Sequence, residues 1–383
     1  MSGVVEPASV IIVGAGPAGL ATGGCLKQRG INALILEAGD VPGYTWLRLY
    51  DRLHLHTVKR LSSLPGLPMP RGFPRYPSRT QVAEYLAAYA RHFDLAIETN
   101  CLVRQASLEA EGWRVTTSKG DYRADILVSA TGIFSQPVTA TYQDMELYAG
   151  RILHASAYQN ATLFTGQRVL VVGSGNTGAE IAVDLAEHGA KPTISIRAGV
   201  NVVPLNLLGV PIQWWAHLVA VLPRPVTGVI APVLLRRSAK RQASAGLPRP
   251  TQGVLEGSRI PVIGLDLLRH AQQGTIRVAG AIARFTPTGV CFADGEIADF
   301  DNVILATGYQ PALQYLAEVV SLDADGRPPL DGLRAADVSH LYFVGMNYGI
   351  RGTLFNISRE APIAAELIAQ ELLALRQLIP NAS

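Results

Sequence analysis

The chain reads as an α/β protein made of two Rossmann-like halves, one inserted into the other. Three observations carry this. "GAGPAG" sets Gly14, Gly16 and Gly19, and "GSGNTG" sets Gly173, Gly175 and Gly178, at one and the same spacing. Each copy stands between an apolar strand-like run and a helical pattern, the context that gives the spacing meaning as a dinucleotide-binding loop. A short apolar run leading into Ala-Thr-Gly also occurs twice, at Ala130–Gly132 and Ala306–Gly308.

The first unit opens with a buried strand over Val10–Val13 and a glycine turn. A helix follows, with Pro17 near its start and Gly30 at its close, and a second strand over Ala33–Leu36 ends at Glu37. Residues 41–79, rich in Pro, Gly, His and aromatics, are expected to form a long ordered loop over that unit. Helical spacing covers Thr80–Phe93; antiparallel strands turning near Gly112 and Gly120 follow, then a buried strand over Ile126–Val128. The plan repeats with a strand at Val169–Val172, a helix closed near Gly189, and a strand at Thr193–Ile196 ending at Arg197. Val303–Leu305 leads to the second Ala-Thr-Gly, and an amphipathic helix runs from about Leu354 to Leu373. The expected division is 1–165 and 302–383 for the first domain, with 166–301 inserted between them.

Composition narrows the class. Hydrophobic residues make up 48% and charged residues 16% of 383, which favours thick buried sheets. A net charge of +3 with scattered Lys and Arg gives no nucleic-acid footprint beyond "RRSAKR" at Arg236–Arg241, expected as a solvated loop. Cys25, Cys101 and Cys291 form no CxxC and no metal-ligand spacing, which fits a reducing compartment. The start of the sequence shows no signal-peptide pattern, so a cytoplasmic location is expected. Val202–Leu222 lacks a charged side chain, but Pro204, Asn206, Gly209, Pro211, Gln213 and His217 interrupt it. A segment lining an apolar pocket is the first reading, and shallow membrane contact is the second.

In each loop the first glycine permits the turn, the second admits a pyrophosphate, and the third lets helix and strand pack. The residue closing the following strand selects the nucleotide. Glu37 accepts hydrogen bonds from ribose hydroxyls and repels a 2′-phosphate, so the first loop should hold FAD or NAD. Arg197 attracts a 2′-phosphate and points to NADP at the second loop, unless it is a plain surface arginine. A chain that binds both is most simply a flavoprotein reduced by NADPH. With no thiol pair to accept electrons, molecular oxygen is the expected outlet.

"YAGRILHASAY" carries Gly150, His154 and Tyr158 in the pattern FxGxxxHxxx(Y/F), with Tyr148 in place of Phe. Together with "YDRLHLHTVKRLSSLPGLPMP", "FPRYPSRTQVAEYLAAYA" and "ILATGY", it makes the chain resemble the group B flavin-dependent monooxygenases, in their YUCCA-like branch. The resemblance implies FAD in the outer domain and NADPH in the inserted one. It also implies a C4a-(hydro)peroxyflavin that transfers one oxygen atom to a small organic substrate, by oxidative decarboxylation of an aryl-pyruvate or by N- or S-oxygenation. A flavin-dependent NADPH reductase or oxidase is the alternative.

The resemblance further implies site residues. Gly14, Gly16, Pro17, Gly19 and Glu37 would hold FAD, and Gly173, Gly175, Asn176, Gly178 and Arg197 would hold NADP. Trp46 of "GYTW" matches a Trp near the flavin ring, or is a core Trp. His154 would support the NADP site, and Thr307 and Gly308 belong to the late motif. Thr57 and Lys59 lie in "LHTVK", where many members carry an Asn-containing turn that contacts flavin or NADP. Asn347 and Arg351, in "NYGIRG", would lie near the ring, the arginine holding a substrate carboxylate or bracing the flavin.

Overall fold

The computed structural model describes residues 8–221, 238, 240–248, 250 and 261–378. It falls into two compact units. Unit 1 comprises Met1–Arg48, Thr57–Gln136 and Tyr309–Ser383, and unit 2 comprises Leu49–His56 and Pro137–Gly308. Both are α/β, as the repeated strand–turn–helix pattern requires.

Unit 1 begins with β1 (Ala8–Val13), α1 (Pro17–Lys27) and β2 (Ala33–Leu36). The two strands pair in parallel from Val10↔Ala33 to Val13↔Leu36. Next come α2 (Tyr44–Arg48) and α3 (Arg79–His92), the latter started by a reciprocal capping box between Ser78 and Gln81. β3 (Ala96–Glu98) adds in parallel beside β2, and β4 (Val103–Glu109), β5 (Gly112–Thr117) and β6 (Gly120–Ser129) form an antiparallel meander. β6 serves twice. Its first half pairs with β5, and its apolar second half pairs in parallel with β1, from Val10↔Ile126 to Val13↔Ser129.

Unit 2 contains β7 (Arg151–His154), β8 (Arg168–Val172), α4 (Asn176–Glu187) and β9 (Lys191–Ser195). A short hairpin, β10 (Asn206–Leu207) and β11 (Val210–Pro211), leads into α5 (Ile212–Val221). β12 (Arg277–Ala279) and β13 (Asn302–Leu305) complete a parallel sheet in the order β12-β9-β8-β13-β7. The chain then returns to unit 1 as β14 (Leu341–Phe343), parallel to β6, and α6 (Thr353–Leu378).

The unit boundaries fall at 136/137 and 308/309 instead of 165/166 and 301/302. The cause is pairing: β13 lies between β8 and β7, with Asn302 opposite both Val169 and Arg151, so 137–165 and 302–308 belong with the second sheet. Residues 49–56 differ likewise from the expected loop over unit 1. Tyr50 Oη donates to Glu180 at 2.8 Å, Arg52 pairs with Glu187, and the Asp51 amide donates to Gln159 O at 2.8 Å, all within unit 2.

The uncharged run from Val202 is broken into the hairpin and the ten-residue α5. Among the described residues no helix is long and apolar enough to cross a membrane. Arg236 and Arg237 of the basic cluster lie outside the described residues.

Candidate functional site

The two glycine loops have the same construction. Gly14 and Gly173 carry φ of 103° and 115°, a left-handed backbone that side chains resist. A Cβ on Gly14 would stand 2.8 Å from the Ala130 carbonyl oxygen, and one on Gly173 2.3 Å from that of Ala306. So the Ala-Thr-Gly segments are the backbone against which each glycine turn packs. A Cβ on Gly19 would lie 1.9 Å from Gly14 O, and one on Gly178 2.1 Å from Gly173 O, because helix and strand touch there. The middle glycines differ: nothing lies within 4 Å of a Cβ on Gly16 or Gly175.

That open space sits at the N-terminus of α1 and of α4, where backbone N–H groups and the helix dipole favour an anion. Neither helix has a side-chain cap, and Pro17 at the start of α1 has no N–H to satisfy. Beside the first loop the buried Thr131 hydroxyl has no hydrogen-bond partner. An open cradle with an orphaned hydroxyl next to it fits a bound pyrophosphate at the first loop, and the second loop repeats the cradle.

Glu37 follows β2, and its carboxylate accepts from the Ala15 amide at 2.6 Å and the Gly39 amide at 2.8 Å. It therefore clamps the glycine turn from below, with lone pairs left for a further donor. Arg197 is exposed beyond β9, and its charge acts on the half-buried Tyr142 phenol, whose pKa burial raises. Asn176 has a different use from the expected one. Its side chain accepts from the Ile263 amide at 2.8 Å and donates to Pro261 O at 3.2 Å, holding the 261–263 segment over α4.

His154 ends β7. Its Nδ1 accepts from the Ser156 amide at 3.1 Å, so the proton belongs on Nε2, which donates to Gly308 O at 3.2 Å. Burial lowers its pKa below the ordinary 6.5, so the ring is neutral near pH 7 and ties the 148–158 segment to the late Ala-Thr-Gly motif. Thr307 Oγ1 reinforces that tie by donating to Val138 O, and the Val138 amide donates to Gly308 O at 3.0 Å. Tyr158, the last residue of the FxGxxxHxxx(Y/F) pattern, is buried and donates to Asp184 on α4.

A histidine with a folded pKa below its unfolded one contributes stability that is complete above 6.5 and declines as pH falls from there. His154→Gln keeps a donor toward Gly308 and removes the titration. The acid limb of Tm against pH should be shallower in this variant just below 6.5; an unchanged limb would assign the proton uptake to other groups.

Trp46 is half-buried on α2. Thr57 Oγ1 bonds Ser62 Oγ at 2.7 Å, and Lys59 Nζ donates to Arg71 O at 2.7 Å, Pro70 O at 3.2 Å and Phe73 O. With its three donors directed at carbonyls, Lys59 holds the 59–75 loop closed.

A different group gathers at the carboxyl ends of β6 and β14. Phe134 and Tyr348 pack edge to face at 5.1 Å between centroids, and Tyr309 stands 6.3 Å from Phe134. Arg351 lies 5.6 Å over the Phe355 ring, and Asn347 O accepts from Asn356 Nδ2 at 3.0 Å. Glu360, pushed up by burial, accepts from the Gly345 amide at 2.9 Å and bonds Asn347, fixing the turn that bears these residues. Sequence reasoning reached Asn347, Tyr348 and Arg351 but not Thr131, Phe134, Tyr309 or Glu360. The available signal was position: Thr131 lies within the first Ala-Thr-Gly, Phe134 two residues beyond it, and Tyr309 directly after the second.

A family model described as pyridine nucleotide-disulphide oxidoreductase matches residues 11–202. The indole-3-pyruvate monooxygenase YUCCA1 of Oryza sativa subsp. japonica is 39% identical over 309 residues, 78% of this chain and 76% of its own. Indole-3-pyruvate monooxygenase YUCCA6 of Arabidopsis thaliana is 38% identical over 314 residues, 78% of this chain and 75% of its own. A solved flavin-containing monooxygenase from Stenotrophomonas maltophilia matches with a TM-score of 0.75 at 28% identity, over 96% of this chain and 99% of that one.

Proposed function

The chain belongs to the flavin-containing monooxygenase family, in its YUCCA-like branch, and from that premise we propose that it oxidatively decarboxylates an aromatic 2-oxo acid. The balanced reaction takes the 2-oxo acid, O2, NADPH and a proton to the acid one carbon shorter, CO2, water and NADP+. FAD, when bound, would accept hydride from NADPH and activate O2. The protein's part is to bind, orient and exclude water.

Unit 1 would hold FAD. The α1 N-terminus and the space at Gly16 receive the pyrophosphate, and Glu37 beyond β2 takes the ribose hydroxyls with its remaining lone pairs. In the sheet order β2-β1-β6-β14, Phe134 follows β6 and Tyr348 and Arg351 follow β14, on the opposite side of β1 from Glu37, and these residues would face the reacting part of a bound flavin. Unit 2 would hold NADPH, with Gly175 and the α4 N-terminus at the pyrophosphate and Arg197 at the 2′-phosphate. His154 keeps Gly308 in place and moves no proton.

The observation that supports the substrate reading is the edge-to-face pair of Phe134 and Tyr348, followed three residues later in sequence by Arg351, whose guanidinium lies over the Phe355 ring. That combination suits a planar ring attached to a carboxylate. Burial raises the phenols of Tyr309 and Tyr348, so both stay neutral and add no charge against the acid.

The test supplies indole-3-pyruvate and phenylpyruvate to the flavin-loaded enzyme and counts NADPH consumed, product formed and peroxide released. One product per NADPH is expected. Complete recovery of NADPH equivalents as peroxide with every acid would favour the oxidase instead. Arg351→Gln should raise the KM for the aryl-pyruvate about tenfold or more, the loss of a charge-assisted contact, with the KM for NADPH unchanged. Equal losses for both would assign Arg351 to bracing the fold.

A further inference from the structure

Glu360 stands on α6 as a carboxylate that folding alone does not explain. Among the described residues no Lys, Arg or His pairs with it, and burial raises its pKa, the mark of a charge that the fold holds at a cost. A neutral helix former such as Ala or Gln at this place would avoid that cost. A charge kept against stability points to a functional role, and the groups that Glu360 binds show which one.

Both of its hydrogen bonds go to one turn of unit 1. The Gly345 amide donates to it at 2.9 Å, and the Asn347 side chain bonds it as well. Gly345 is buried with φ of 86°, and a Cβ on it would lie 3.0 Å from Ala18 Cβ on α1 and 3.5 Å from Ile357 on α6. Beyond it the chain leaves the core: Tyr348 and Ile350 are each 39% exposed, and Asn347 and Arg351 are exposed too. Tyr348 nevertheless packs edge to face with Phe134 at 5.1 Å. The polar contacts that hold this exposed turn include the Asn356 amide on Asn347 O at 3.0 Å and the Gly352 amide on Gly349 O at 3.0 Å. Those have neutral acceptors, whereas a carboxylate makes the two bonds from Glu360 the stronger ones.

We propose that Glu360 is a positioning residue for the aromatic-acid site: its carboxylate tethers Gly345 and Asn347, and through them sets where Tyr348 and Arg351 stand for the substrate. The identity of the ligand rests on the substrate reading above, while the tether does not. α6 packs along α1 and β6, which gives the carboxylate a rigid base. The contribution is preorganisation. A turn ordered before the 2-oxo acid arrives takes nothing from the binding free energy, and the apparent affinity falls in proportion to the fraction of molecules in which the turn is in place.

The test is Glu360→Gln in the flavin-loaded full chain, since Gln keeps an acceptor for the Gly345 amide and drops the charge. Hydrogen exchange in peptides covering residues 344–349 should speed up about fivefold or more, the loss of charge assistance on two bonds, with a melting temperature equal to or above that of the parent. The KM for phenylpyruvate should rise about fivefold, with flavin content and the KM for NADPH unchanged. Three results would overturn the proposal: unaltered exchange over 344–349, faster exchange with an unchanged KM for phenylpyruvate, or a lowered melt with equal losses toward phenylpyruvate and NADPH, which would make Glu360 a residue of the fold alone. Exchange needs no substrate, so it decides the tether even if the parent turns over no 2-oxo acid, a failure that would count against the substrate reading instead.

Discussion

Gly178→Ala should cost about 3 kcal/mol or more of folding stability, whereas Gly175→Ala should leave the melting temperature unchanged and cripple use of NADPH. The two glycines stand in one loop, and the structure separates them by what a methyl group would meet. At Gly178 a Cβ lies 2.1 Å from the Gly173 carbonyl oxygen, and backbone at the crossing of α4 and β8 cannot yield as a flexible side chain could. Overpacking of this kind costs about 1–3 kcal/mol and more where backbone is involved. For a unit of this size that lowers Tm by roughly 2–4 °C per kcal/mol. At Gly175, φ is −74° with ψ of 179°, extended backbone that alanine adopts freely, and no atom lies within 4 Å. The methyl group would occupy the space proposed for a pyrophosphate, so KM for NADPH should rise at least about tenfold. Thermal melts with steady-state NADPH titrations of both variants read the two effects separately. A destabilised Gly175→Ala, or one with normal NADPH kinetics, would remove the cradle reading of this loop. The same pair of substitutions at Gly19 and Gly16 extends the comparison to flavin retention, because a Cβ on Gly19 would lie 1.9 Å from Gly14 O and one on Gly16 in open space.

The two βαβ patterns were legible because each strand is a short apolar run buried on both faces. Val10–Ile12 and Val169–Val171 are wholly buried, and the following helices start at the glycine turns where the spacing put them. The boundaries between units were not legible. β13 is as apolar as any central strand, and nothing in Val303–Leu305 says whether its neighbour is β1 or β8; only the register Val303↔Leu170 and Val303↔Ile152 decides it. Residues 49–56 were obscure for a similar reason. Their anchors, Glu180 and Glu187, lie more than a hundred residues away, so the pairing of Tyr50 and His56 with Glu180 has no local signature.

The site was legible where backbone geometry demands a residue type and less so where side chains have alternatives. The first and third glycines of both loops sit as their spacing implies, since no other residue tolerates those approaches, while the middle ones border open space. Lys59 and Asn176 are engaged differently from their motif neighbours: the ammonium is drawn to the carbonyls of 70–73, and the amide to the backbone of 261–263. Both partner segments are turns whose position depends on the whole fold. Thr131 lies within a motif whose repetition is visible in the sequence, but the contact of that motif with the glycine turn is not. Its hydroxyl is buried without a partner, a cost of about 1–3 kcal/mol that a bound cofactor would relieve.

Arg197→Ala should raise the KM for NADPH about 10- to 100-fold and leave that for NADH within a factor of about two, since a hydrogen-bonded charge pair contributes roughly 1.5–3 kcal/mol. By strand register Leu36 matches Ser195, so Arg197 lies one residue beyond the place that Glu37 takes in unit 1, and the two side chains that follow the second strands carry opposite charge. A carboxylate there excludes a 2′-phosphate, and a guanidinium attracts one. The surroundings agree with an anion: Arg197 is exposed, and the half-buried Tyr142 phenol on which its charge acts has its pKa raised by burial and stays neutral. Because the side chain is exposed beyond β9, its removal leaves no cavity and should not shift the melt. Arg197→Glu sharpens the test, for it installs in unit 2 the charge that Glu37 carries in unit 1, and the preference should move toward NADH. If both nucleotides lose affinity equally in Arg197→Ala, the residue does not contact the 2′-phosphate, and the selectivity of unit 2 must come from another cation. Flavin reduction by a saturating pulse of each nucleotide distinguishes the cases directly, since a selectivity residue changes the concentration required and not the rate at saturation.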